Sequence, residues 1–323
     1  MSDRLTPADL PPASQLAPSM ATHAENMRGI SAMLASLAAF VANDTCVKLA
    51  SATLPIGEII TLRNGAATAY LLATFAVFGG LTLPRNPPIK LLALRMIGEV
   101  VSTLLFLVAL VSLPLADMTA IAQFTPLALT AAAAIFLNEP VGWRRWMATA
   151  VGLIGVGFIV RPGSTAFSPA GAMVLASIAF VVLRDLATRL ISTAVPTLTL
   201  TLTSAVSGIL AGVVLLPFEL WRIPDAPECG LLAASGLFLT FGYALIVVAL
   251  RTGDVGIVSP FRYAVILFAL ASGYLVWGQT PDGLAMIGIV IVCSAGLYTV
   301  HRERVLQQVG RATPDDPRPQ EAA

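Results

Sequence analysis

The sequence predicts an all-α integral membrane protein of ten transmembrane helices, arranged as two five-helix repeats of inverted topology. Three observations carry that prediction. Of the 323 residues, 57% are hydrophobic and only 11% charged, where an ordinary soluble domain carries about 25% charged residues. Ten mostly apolar runs lie near 29–50, 57–79, 91–112, 115–137, 144–160, 169–190, 197–218, 230–250, 255–277 and 282–300. A helix rising about 1.5 Å per residue needs roughly 20 such residues to cross a hydrocarbon core of about 30 Å. Finally, a polar motif of the first run recurs in the sixth. None of the runs alternates strictly between apolar and polar residues, so each reads as a helix and not as a barrel strand.

In chain order, residues 1–27 are rich in Pro, Ala and Ser, with Asp3, Asp9 and Glu25 and no apolar core. They are expected to form a disordered cytoplasmic tail, neither signal peptide nor span. The first repeat, 28–160, carries Asn43, Asp44 and Lys48 in span one, Glu58 and Arg63 in span two, and Arg95 and Glu99 in span three. Gln123, Phe124 and Pro126 interrupt span four, and Gly152 and Gly155 offer close packing in span five. The second repeat, 168–302, has Arg184, Asp185 and Arg189 in span six, and Ser204, Gly208 and Gly212 every fourth residue in span seven. Tyr243 falls in span eight, Pro260, Phe261, Arg262 and Tyr263 in span nine, and Gly288, Ala295 and Gly296 in span ten. Residues 303–323, polar and holding Pro314, Pro317 and Pro319, read as a second disordered cytoplasmic tail.

The repeat is visible when DTCVKLASATLP (44–55) is laid on DLATRLISTAVP (185–196). Asp44 meets Asp185, Lys48 meets Arg189, Leu49 meets Leu190, Ser51 meets Ser192 and Pro55 meets Pro196, all at one offset. Further on, ADMTAIAQF (116–124) resembles GDVGIVSPF (253–261). An odd number of spans per copy inverts the second copy in the membrane. Inverted repeats of this kind recur in secondary transporters, with substrate near the midplane between the halves.

A cytoplasmic N-terminus places nine Lys and Arg residues of the connections and tails inside and only Arg161 and Arg222 outside, as the positive-inside rule asks. Trp143, Trp146, Trp221 and Trp277 fall at span ends, where an interfacial belt belongs. The lipid bilayer is thus one partner, and a net charge of +1 gives no reason to expect nucleic acid. Cys46, Cys229 and Cys293 are isolated, and the only histidines, His23 and His301, lie outside the spans. No metal, cofactor or disulfide is expected, and no P-loop, GxSxG or HExxH signature points to an enzyme.

Charges inside spans are costly and mark candidate sites. Asp44 with Lys48, Asp185 with Arg189 and Arg95 with Glu99 are each spaced i,i+4, so each pair can neutralise itself on one helix face. Asp44 and Asp185 read as cavity lining or gate contacts at opposite faces; snorkelling to an interface is the competing reading for Lys48 and Arg189. Arg262, with no acid at helical spacing, needs an acid on another helix, a carbonyl or an anionic substrate group. Glu58 and Arg63 read as interhelical structural support. Pro126 and Pro260 are hinge candidates or plain kinks. Asn43, Glu99, Gln123, Phe124, Tyr243, Phe261 and Tyr263 complete the candidate binding or gating residues, the aromatics with ordinary packing as their alternative.

RG at 28–29, ADMTAIAQFTPL at 116–127 followed by FLNEPVGWRRW at 136–146, and PFRY at 260–263 followed by WGQTPD at 277–282 together resemble the drug/metabolite transporter superfamily, in proteins built from two EamA domains. Gln279 stands where such proteins often have an acid. The resemblance implies a bacterial inner-membrane location, both termini cytoplasmic, and transport of a small-molecule metabolite without a cofactor. Within the superfamily the chain looks most like exporters of aromatic and other amino acids. Uptake of riboflavin or S-adenosylmethionine is the alternative, and a non-transporting scaffold or membrane enzyme the alternative of another class. A monomer is one option for the working unit.

Overall fold

A computed structural model of the chain describes residues 22–78, 88–136, 143–161, 164, 166–191, 197–252 and 258–312. The α-helices among them are α1 (His23–Ala50), α2 (Ile56–Phe78), α3 (Ile89–Ser112), α4 (Leu115–Ala122), α5 (Thr125–Phe136), α6 (Trp143–Ile159), α7 (Pro169–Leu190), α8 (Thr197–Leu215), α9 (Ala226–Thr252), α10 (Val265–Trp277) and α11 (Gly283–Ala312). A 3-10 segment, Ser259–Ala264, runs into α10. Since α4 with α5 forms the fourth span, and that 3-10 segment with α10 the ninth, the chain is the all-α, ten-span membrane bundle that its composition predicts. Among the described residues, five helices are by length and composition alone able to cross a membrane, His23–Ala50 and Ala226–Ala249 among them, and four further apolar helices are shorter. Large apolar side chains such as Leu153, Ile154, Leu267 and Leu275 point outward, toward where lipid would lie.

Helix ends follow local chemistry. Thr22 and Glu25 form a reciprocal capping box, with Thr22 N–H donating to Glu25 Oε2 at 2.7 Å, so α1 starts ahead of its apolar run. At the far end nothing breaks α11 before Pro314, and it runs on to Ala312. Residues 23–27 and 303–312, expected within disordered tails, are therefore helical; 1–21 and 313–323 lie outside the described residues. Ser168 caps α7 ahead of Pro169, and Gly278, at φ 65°, ends α10 in the left-handed conformation that glycine adopts freely.

Packing repeats the sequence symmetry. α1 runs antiparallel to α9, with Ser36 Oγ donating to the Gly242 carbonyl at 2.7 Å and Thr53 Oγ1 to Glu228 at 2.6 Å. α3 lies along α7 in the same way in the other half, α2 crosses α8, α6 crosses α11, and the fourth span meets the ninth. Each of these pairs takes one helix from each repeat, so the repeats interleave instead of forming separate lobes. Two groups result, α1/α2/α9 and α3/α7/α8, joined by the α2–α8 crossing. That crossing depends on glycine: a Cβ on Gly212 would lie 2.4 Å from the Gly57 carbonyl, and one on Gly208 2.3 Å from Asn64 Oδ1. Gly155 and Gly288 make the α6–α11 crossing equally close, as their small-residue spacing predicts.

Candidate functional site

One polar centre lies among α1, α2 and α9. Asn43 is its hub: its Oδ1 accepts from Ser235 Oγ at 2.8 Å and from Arg63 Nη1 at 3.4 Å, while its Nδ2 donates to Asp44 Oδ1 at 2.9 Å. Asn43, Arg63, Asn64 and Ser235 are buried, and Asp44 is half-buried within electrostatic reach of Arg63. Asn43 stands seven residues before the end of α1, about 10 Å in from the face where that helix ends.

A second centre lies among α3, α7 and α8. Glu99 accepts from Arg95 Nη1 at 3.4 Å, from Ser204 Oγ at 3.1 Å and from Arg184 Nη1 at 3.5 Å. Arg184 Nε donates to Asp185 at 2.8 Å, and Arg95 Nη2 reaches Ser204 Oγ at 2.9 Å. Desolvating these charges would cost several kcal/mol each were they not paired and hydrogen-bonded to this degree. Arg63 Nε and Arg95 Nε are buried donors without an acceptor among the described residues.

The two centres are images of one another. Asn43 and Arg184, Asp44 and Asp185, and Arg63 and Ser204 share one offset, 141 residues, and α1/α2/α9 corresponds to α7/α8/α3 under the repeat. Because the second copy is inverted, the centres lie at different depths. Tyr243 on α9 lies within electrostatic reach of Glu99, Arg184, Arg63 and Arg95, charges that belong to both centres. It still keeps 40% of its surface accessible. Phe40 packs edge-on against Tyr243, at 5.3 Å and 79° between rings.

The structure thus brings Asn43 and Asp44 into one centre and Glu99 and Asp185 into the other, with Tyr243 within electrostatic reach of charges from both. It corrects one pairing. Lys48 does not neutralise Asp44: its Nζ donates to the Leu113 carbonyl at the end of α3 and lies 5.4 Å from the Trp277 ring centroid. Asp44 is instead held by its neighbour Asn43 and faces Arg63, an arrangement that helical spacing alone does not reveal. Asp185 likewise pairs with Arg184; the Arg189 side chain lies outside the described residues. Arg95 and Glu99 do pair as their spacing predicts. Glu58 and Arg63 both reach other elements, Glu58 accepting the Arg222 backbone N–H at 3.3 Å.

Among the described residues, no hydrogen bond or ion pair ties Gln123, Phe124, Phe261, Arg262 or Tyr263 to either centre. Phe124 packs against Leu127, and Tyr263 is buried against Gly296. Phe261 and Arg262 are exposed on the 3-10 segment. Among the described residues Arg262 has no acidic partner. Pro126 and Pro260 both fall at breaks in α-helical geometry, Pro126 just inside α5 and Pro260 in the 3-10 segment. Pro126 cannot donate to the Ala122 carbonyl, and the Thr125 hydroxyl does so instead, at 2.6 Å. Sequence reasoning did not place Arg63, Ser204 and Ser235 in these centres. The available signal was the adjacent Arg63–Asn64 pair within an apolar run, with polar Ser204 at its repeat position.

An interleaved, inverted-repeat helical bundle with paired charges set among its helices is the architecture of a multi-pass membrane transporter. The chain belongs to the EamA-like transporter family, which it matches over residues 27–161 and 168–300. It is 27% identical over 282 residues to an S-adenosylmethionine uptake transporter of Rickettsia bellii, covering 85% of this chain and 94% of that protein. Similarity to the pseudopaline exporter CntI of Pseudomonas aeruginosa is 29% identity over 271 residues, 81% of this chain and 94% of the other. A riboflavin transporter of Vibrio cholerae matches at 27% over 209 residues, 62% and 67% of the two chains. A solved crystal structure shares the fold with a TM-score of 0.59 at 19% identity, over 86% of this chain and 99% of that one.

Proposed function

We propose that the protein is an inner-membrane secondary transporter that exports amino acids, aromatic ones among them, by alternating access, with both termini in the cytoplasm. The observation that supports this reading is the pair of mixed-charge centres at equivalent positions of the inverted repeats, both facing Tyr243. An amino acid presents one ammonium and one carboxylate a few bonds apart. Asp44, Glu99 and Asp185 suit the first, and the Arg63 and Arg95 guanidinium groups suit the second. Phe40 and Tyr243 offer aromatic surface to the side chain. The chain carries no ATP-binding motif, so transport runs on an ion gradient or on the solute's own. Both centres come from a single chain, so a monomer suffices to build the site.

A second reading, uptake of S-adenosylmethionine, is favoured by the Rickettsia relative. That solute has an amino acid end together with a sulfonium, whose extra positive charge a third carboxylate would suit. Riboflavin has no ammonium–carboxylate pair and makes less use of the centres.

The test is flux in proteoliposomes containing only the purified protein, with labelled phenylalanine, threonine, methionine, lysine, glutamate, S-adenosylmethionine and riboflavin, with and without a pH gradient. Saturable amino acid flux that Arg63→Ala or Glu99→Gln reduces supports the export reading. Flux of S-adenosylmethionine alone replaces it with the second, and flux of riboflavin alone overturns both.

A further inference from the structure

The α6–α11 crossing leaves a groove of about 330 Å³ lined by Trp143, Arg144, Met147, Ala148, Val151, Ser294, Ala295 and Tyr298. Its floor is made by two small buried residues, Ala148 and Ala295, and its walls by the exposed Trp143, Met147, Val151 and Tyr298. Lengthwise it follows α6 from Trp143 to Val151, about 12 Å of helix. Apolar lining continues along that length, and charge enters only at the end where α6 begins, where the Arg144 guanidinium carbon sits 5.5 Å from the Trp143 ring centroid. Arg144 is exposed and forms no ion pair among the described residues.

We infer that this groove binds one anionic phospholipid, with an acyl chain laid along Met147, Ala148, Val151 and Ala295 and the headgroup phosphate on Arg144. Three features fit that occupant. Trp143 and Trp146 mark the start of α6 as the level of the membrane interface, where phosphates lie. A groove that is apolar below and cationic at its mouth matches the polarity of a lipid from tail to headgroup. A guanidinium binds phosphate oxygens in pairs, which a choline headgroup's own cation opposes. A second copy of this chain would bring another Arg144 near the mouth in a symmetric pairing, so charge disfavours it.

Native mass spectrometry of the full chain, released from micelles holding equal phosphatidylglycerol and phosphatidylcholine, tests the inference. One phosphatidylglycerol is expected to be retained in preference to phosphatidylcholine by about fivefold, the worth of one basic contact. Arg144→Gln, an exposed change, is expected to abolish that preference. Lys90→Gln, which removes another exposed cation, is expected to leave it intact. Equal loss in both variants, no preference in the unaltered chain, or a dimer that excludes lipid would each overturn the proposal.

Discussion

Asn43 and Arg184 hold the same place in the two repeats and do the same thing: each donates to the aspartate that follows it, Asn43 Nδ2 to Asp44 at 2.9 Å and Arg184 Nε to Asp185 at 2.8 Å. The donors differ in charge. Where one centre takes its cation from α2, as Arg63, the other takes two, Arg184 on α7 and Arg95 on α3, and has Ser204 in the Arg63 position. A duplicated site has therefore kept its geometry while its charges were redistributed among neighbouring helices.

Glu99 ties Arg95, Arg184 and Ser204 together, so its removal leaves the buried Arg95 without a carboxylate, while Arg184 keeps Asp185. Glu99→Ala is expected to destabilise the protein by about 3 kcal/mol, the usual cost of breaking a buried pair from one side. Glu99→Gln keeps the shape and should cost less stability while lowering transport at least roughly tenfold. Melting in detergent alongside proteoliposome flux separates the two effects; unchanged flux in a folded Gln variant removes Glu99 from the site.

Asn43→Leu removes the acceptor shared by Arg63 and Ser235. We expect a loss of about 2 kcal/mol for the donors left buried without it, with Ser235→Ala costing less because Arg63 keeps its partner. A melting shift as large in Ser235→Ala as in Asn43→Leu would contradict the hub role of Asn43.

Gly288→Val would set a Cβ 2.6 Å from the Gly155 carbonyl. Overpacking of that kind costs about 1–3 kcal/mol. Gly157→Ala, where a Cβ meets nothing within 4 Å, serves as the control and should melt like the unaltered protein.

Pro126→Ala restores a donor to the Ala122 carbonyl and frees the Thr125 hydroxyl. If the break between α4 and α5 acts as a hinge, turnover falls while the melting temperature rises or holds. Flux equal to that of the unaltered chain would reduce Pro126 to a plain kink.

Asp282 lies between Trp277 and α11, outside the spans. The Ala285 backbone N–H, then the Arg161 side chain at 2.8 Å, hold its carboxyl below the usual range. A depressed carboxyl contributes stability that is present above its unfolded pKa of about 4 and lost as pH falls through the folded value. Melting temperature should hold steady on this account from pH 5 to 8, and drop below about pH 4 by more in the unaltered chain than in Asp282→Asn. A difference between the two that is independent of pH would rule out this linkage.

The sequence by itself determined the solvent, the number of spans and the duplication, because hydropathy runs and a single repeat offset are local properties that survive any packing. It also pointed to Asn43, Asp44, Glu99, Asp185 and Tyr243, since polar groups inside apolar runs carry a solvation cost wherever they end up. Only the tertiary structure decided the partners. Helical spacing puts Lys48 within reach of Asp44, yet the neighbouring α3 end and Trp277 attract the ammonium, while α2 delivers Arg63 to the carboxylate. It also decided that each repeat packs chiefly on the other, so that charges of two centres 141 residues apart in the chain come within reach of one side chain, Tyr243. That outcome depends on how closely two helices can approach, which Gly57, Gly208 and Gly212 permit, and on which charges lie opposite each other once they do.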